Sequence, residues 1–333
     1  MLRSVLAAAC CVGLGLHAEE LPRYSLPIDC VPGESCWVVN YVDQDPGAGA
    51  SDYTCGPQTY DGHTGTDIAV RNLREMRRGV PVLASAPGVV RAVRDGVADG
   101  QYKRGEPPDA SEVSGRECGN GVVLDHAGGW QTQYCHLRQG SVAVRKGERV
   151  GRGAQLGLVG LSGRTEFPHV HLTVRHRGTS VDPFTGQAAN AGCALRGGAL
   201  WTAEAAAALQ YRAVSIYEAG IAGSAPSVAQ VHEGEGIAPA QRASPALVAW
   251  TALYGLRAGD EILLSLADPA GRVLLERRRR VERTQARRVE LAGLRRTAES
   301  WPAGHYRLTV RVERPQAQGA PLAELRVFAL EIE

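Results

Sequence analysis

Several signatures are missing from this chain, and each absence removes a class of chemistry. No C-x-x-C pair occurs, so neither a cysteine zinc site nor a thioredoxin-type redox site is supported. No H-E-x-x-H helix is present, which excludes the zinc-protease arrangement in which a helical glutamate acts as base. The glycines between Val144 and Gly160 never form a G-x-G-x-x-G opening a helix, so a dinucleotide fold is not indicated. Ser162 lies outside any G-x-S-x-G, which argues against a hydrolase nucleophile elbow. Aromatics make up only 5% of the residues. The formal charge of +2 over 333 residues gives no electrostatic case for nucleic acid. Beyond the N-terminal stretch, no apolar run is long enough for a transmembrane helix.

What is present points to an exported, mainly β protein. The hydrophobic content of 44% can build real cores, and the length suggests two domains. Forty glycines and 18 prolines favour short strands joined by many turns. Met-Leu-Arg3, the apolar stretch Ser4 to Leu16 and His17-Ala18-Glu19-Glu20 read as a signal peptide over 1–18, with Ala18 the candidate cleavage point. A lipoprotein cleavage ahead of Cys10 is the alternative. Either way the expected location is periplasmic or secreted. Six cysteines lie beyond the signal: Cys30, Cys36, Cys55, Cys118, Cys135 and Cys193. An even number in an exported chain favours disulfides. Cys30 with Cys36 is the simplest local pair, and Cys118 with Cys135 could bridge neighbouring strands.

The chain divides into an N-terminal lead-in (19–54), a first β domain (55–187), a connector with a short helix (188–209) and a β-sandwich of immunoglobulin-like character (210–333). In the first domain, Trp130 to Leu137 is the expected antiparallel partner of the strand before Ala127-Gly-Gly. Residues 95–117 read as a long surface loop. The stretch Pro168-His-Val-His-Leu-Thr-Val174 alternates as a strand, so His169 and His171 share one face. His63 and Asp67 stand four apart around Gly65, where a loop enters another strand. A hydrolytic zinc site uses three protein ligands and keeps one position for water. His63, Asp67 and one of the two strand histidines would supply them. His136 and the other histidine are then candidates for acid/base work, since the imidazole pKa lies near working pH.

The set His63-x-Gly65-x-Asp67, Tyr134-Cys-His136-Leu137 and His169-x-His171 resembles the lysostaphin-type (LytM-like, duplicated hybrid motif) zinc metallopeptidases in order, spacing and neighbours. The likeness runs over about residues 56–185 and takes in Cys118 to His126, Val144 to Gly163 and Val181-Asp-Pro183. It implies an antiparallel β fold with Zn2+ in an open groove, held by His63, Asp67 and His171, with His136 and His169 serving the chemistry. His126 is implied to be structural. The resemblance also implies an endopeptidase acting on peptidoglycan cross-links or stem peptides. A secreted protease of glycine-rich proteins, or a non-catalytic activator or binding module for cell-wall hydrolases, are the alternatives. The chain departs from the family at Phe167-Pro-His-Val-His-Leu172, where Gly-Pro-His-Leu-His-Phe is common, and in its long 95–117 loop. Oligomeric state is not readable from these features.

Overall fold

The computed structural model describes residues 21–100, 115–193, 197–316 and 321–333. The expected signal peptide lies outside the described residues, as does most of the 95–117 loop. Among the described residues no helix is long and apolar enough to cross a membrane.

Two strands open the first half: β1 (Cys36–Asn40) and β2 (Thr66–Val70). They are followed by a short helix, α1 (Leu73–Arg78), capped by Asn72, whose side chain accepts from Glu75 N–H. Next come β3 (Pro81–Leu83), β4 (Gly88–Arg94), β5 (Asn120–Asp125) and β6 (Trp130–Leu137), the last two joined through the turn at Ala127–Gly129. Then β7 (Arg149–Val150), β8 (Gln155–Leu158), β9 (His169–His176) and β10 (Thr179–Val181) complete this half. Its principal sheet runs β1-β2-β9-β6-β5-β4-β7, with β10 on β9, and every pair is antiparallel. The connector carries α2 (Ala203–Ala208), capped by Thr202.

The period of two sorts this sheet into two chemically different faces. Ile68, Val70, Tyr134, Val170, Leu172 and Val174 enter one apolar core. Asp67, Ala69, His169, His171 and Thr173 alternate with them and so occupy the opposite face. Three disulfides secure the surroundings: Cys30–Cys36, Cys55–Cys193 and Cys118–Cys135. Both pairs read from local sequence are present.

The C-terminal half is a sandwich of two sheets. Its elements are β11 (Ser215–Ala222), α3 (Val228–Glu233), β12 (Ala246–Leu256), β13 (Glu261–Ala267), β14 (Val273–Arg280), β15 (Gln285–Arg295), β16 (Gly304–Arg314) and β17 (Leu322–Ile332). The sheets are β11-β12-β15 and β14-β13-β16-β17. Ile216, Leu247, Ala249 and Leu253 meet Ile262, Leu264, Leu308 and Val310 between them. The Arg277–Arg280 run lies on β14, exposed. The central strand β12 is buried on both faces. Leu247, Ala249 and Leu253 point into the sandwich, while Trp250, Ala252 and Tyr254 pack on Trp37, Val39, Ala69 and Phe167 of the first half. The sandwich therefore covers part of the histidine-bearing face and leaves the rest as a groove.

Candidate metal centre and its groove

Register places the carboxylate. Asp67 on β2 pairs directly with His171 on β9, and His171 pairs on its other side with Cys135 of β6. His63, on the loop entering β2, completes the group. One ligand atom from each of His63, Asp67 and His171 lies within 4.8 Å of the others. Asp67 Oδ1 is 2.7 Å from His171 Nδ1, and Asp67 Oδ2 is 3.2 Å from His63 Nε2.

Hydrogen bonds behind these groups orient them. His63 donates from Nδ1 to the Tyr41 carbonyl at 2.6 Å, which turns Nε2 into the cluster. His171 reaches Thr173 Oγ1 from Nε2 at 2.9 Å, leaving Nδ1 for the cluster. Asn40 donates to Asp67 Oδ2 at 2.9 Å. Convergent imidazole and carboxylate donors, each ring tied at its far nitrogen, form a donor set suited to a divalent metal. Gly65 is required by packing. A Cβ there would lie 2.5 Å from His171 Nε2 and 2.7 Å from the Leu172 carbonyl.

His136 and His169 stand beside this set, with ring centroids 4.6 Å apart. His169 donates from Nδ1 to the Phe167 carbonyl at 2.9 Å, and its Nε2 lies 3.5 Å from Asp67 Oδ1. His136 donates from Nδ1 to the Ser162 carbonyl at 2.8 Å. Its backbone is in the left-handed region, at φ 62°. Simple alternation from Tyr134 would send His136 to the core side and Leu137 to the groove side. The left-handed residue interrupts that alternation, so His136 lines the groove while Leu137 joins Tyr134 in the core. Such backbone costs of order 1–3 kcal/mol for a non-glycine residue.

Electrostatics separates the histidines. Burial pushes the His63 imidazole down, but the charge and hydrogen bond of Asp67 outweigh it and leave its pKa raised. Burial lowers His171 more than Asp67 restores it. His136 is held well below the usual imidazole range by burial, reinforced by His169 and His171. Burial works against the Asp67 carboxylate, yet His63, His169 and His171 together hold it ionised, well below its ordinary value.

The five residues anticipated from sequence all line one groove of about 830 Å³. Their supporting groups were not anticipated: Asn40, the Tyr41 and Ser162 carbonyls, Thr165 and Thr173. Of these, only Thr173 carried a usable signal, since it continues the period-two face two residues beyond His171. His126 is elsewhere, hydrogen-bonded to the Pro87 carbonyl and Thr132. Glu117, Arg164, Glu166 and Arg175 add charge to the groove walls.

Residues 61–183 match the profile of peptidase family M23. Over 120 residues the chain is 33% identical to the peptidoglycan DD-endopeptidase ShyA of Vibrio cholerae, covering 36% of this chain and 22% of that protein. It is 34% identical over 126 residues to the DD-carboxypeptidase/endopeptidase Mpg of Neisseria meningitidis, again covering 36% and 22%. The chain thus spans about a fifth of the length of these relatives. A crystal structure of a zinc containing peptidase from Vibrio cholerae aligns at TM-score 0.33 and 23% identity, covering 49% of this chain and 39% of that one.

Proposed function

We propose, on the match of residues 61–183 to peptidase family M23, that the chain is an exported zinc metalloendopeptidase that cleaves peptide bonds in peptidoglycan cross-links or stem peptides. The observation that carries this reading is the convergence of His63, Asp67 and His171 beside two more histidines whose Nδ1 atoms are already committed. His63 Nε2, Asp67 and His171 Nδ1 would hold the zinc. When bound there, zinc supplies a Lewis acid for the scissile carbonyl and lowers the pKa of attacking water.

The remaining chemistry falls to His136 and His169. Each donates its Nδ1 proton to a backbone carbonyl, so each presents Nε2 to the groove as the basic atom. The low pKa of His136 keeps that ring neutral and able to accept. One imidazole takes a proton from the attacking water and a proton is returned to the departing amine nitrogen, as general acid–base catalysis requires. The mixed Arg and Glu walls of the groove suit a peptide carrying both carboxylates and amines. The names of the relatives, a peptidoglycan DD-endopeptidase and a DD-carboxypeptidase/endopeptidase, support the choice of substrate.

The test is digestion of purified sacculi and of a glycine-rich protein in parallel, with and without a chelator. Chelator-sensitive release of muropeptides without protein cleavage is expected. Protein cleavage alone would overturn the substrate, and undiminished turnover after complete metal removal would overturn the metal role.

A further inference from the structure

The C-terminal sandwich touches the catalytic groove in two ways. Gly255, Leu256 and Arg257, where β12 ends, and Thr284, Gln285 and Ala286, where β15 begins, line the same groove as the five site residues. The second contact passes through Phe167. Its carbonyl accepts the Nδ1 proton of His169 at 2.9 Å and the hydroxyl of Thr165 at 2.8 Å. Its ring lies 5.1 Å from the His169 ring, 5.7 Å from that of Tyr254 and 5.4 Å beneath the Arg287 guanidinium. The residue that holds the His169 imidazole is thus itself held from the sandwich.

The rest of the seam is built for a fixed relationship. Tyr254 stacks on Tyr217 at 4.1 Å, and its hydroxyl donates to the Val70 carbonyl at 3.3 Å, at the end of the strand that carries Asp67. Trp37 and Tyr254 are 2% and 1% exposed. At the margin, Arg77 of α1 pairs with Glu233 and Glu235, and Asn72 donates to Glu218. Domains of one chain usually meet through modest, rather polar interfaces and move relative to one another, whereas a buried apolar seam suppresses that motion.

We propose that the sandwich is a working part of the catalytic centre, in which Arg287 and Tyr254 act as positioning residues that fix His169 through Phe167. This rests on the peptidase reading above. Arg287 reaches Phe167 by a cation–π contact and also donates from Nη2 to His232 Nδ1 at 3.2 Å, so it spans from α3 to the groove edge. Releasing it frees the Phe167 ring, and with it the carbonyl that sets the His169 tautomer and orientation. Loss of orientation of that kind lowers turnover without weakening substrate binding.

The experiment uses the full, zinc-loaded chain and its Arg287→Ala and Arg287→Lys variants, with a purified cross-linked muropeptide dimer as substrate. Arg287→Ala should lower kcat about tenfold to a hundredfold. KM should stay within about twofold. Metal content should not change, and Arg287→Lys, which keeps the cation, should recover much of the loss. Amide hydrogen exchange should quicken over 165–169 in Arg287→Ala while the rest of the chain keeps its protection. Wild-type kcat and exchange in Arg287→Ala would overturn the brace, as would a rise in exchange spread over the whole chain. If the wild-type chain cleaves no wall peptide, the peptidase reading has failed, and the exchange comparison still decides the brace by itself.

Discussion

Asp182, just past β10, is a buried carboxyl whose pKa is pushed up to about 7 by desolvation, with the like charge of Asp52 adding to it. Its Oδ1 accepts from Phe184 N–H at 2.8 Å and its Oδ2 from Gln44 Nε2 at 3.2 Å, and these bonds only partly offset burial. Against an unfolded value near 3.9, that difference corresponds to roughly 4 kcal/mol. The sign follows from proton counting. Between about pH 4 and pH 7 the folded chain keeps a proton that the unfolded chain has released, so rising pH favours unfolding. The contribution is fully present below about pH 4 and lost as pH climbs through about 7. Replacing Asp182 by Asn retains an acceptor for Phe184 N–H and removes the titration. The thermal midpoint of Asp182→Asn relative to wild type should therefore rise between pH 4 and pH 8, by on the order of 8 °C for roughly 4 kcal/mol. Midpoints of the two proteins that track in parallel across that range would refute the assignment.

Three other outcomes follow from the site and its anchors. His171→Ala should lose zinc, whereas His136→Asn, chosen because Asn tolerates the left-handed backbone, should keep the metal yet lose about 10²–10⁴ in kcat; metal analysis beside turnover assays checks both. Gly65→Ala places a methyl group 2.5 Å from His171 Nε2 and should weaken zinc binding by at least about tenfold, measured by competition with a chelator. Replacing Cys55 and Cys193 by Ser releases a cross-link spanning 138 residues, for which loop entropy sets an upper figure of about 5 kcal/mol, so the denaturant midpoint should fall; an unchanged midpoint would show that packing alone holds the His63 loop.

The strand that carries His169 and His171 was legible because its pattern is local. His169 to Val174 alternates cleanly, and the apolar members do enter the core while the histidines share the other face. The family profile matches the stretch in which the three motifs lie. What could not be read is what depends on register or distance. Nothing in the local pattern says that Asp67 sits directly across from His171, or that Cys55 joins Cys193. The left-handed backbone at His136 was also hidden, because no glycine marks it. In the C-terminal half, the sequences of β16 and β17 alternate, and those of β13 and β14 flank the turn residues Asp268-Pro-Ala-Gly271, so these strands are legible. β12 is not, because Ala246–Leu256 is buried on both faces and therefore lacks alternation. That same two-sided burial hid the seam with the first half.

The seam also sets an order of events during synthesis. Trp37, Ala69 and Phe167 emerge from the ribosome well before Tyr217, Trp250 and Tyr254, which cover them. Domains emerging on the ribosome fold as units in order of appearance. Until β12 is made and paired, the nascent first half carries an uncovered apolar strip beside its histidines, and Phe167 has no partner from the sandwich. The chain thus withholds its finished groove until most of its length has been made, so the histidine-lined site is complete only in a molecule that has already assembled its C-terminal sheet.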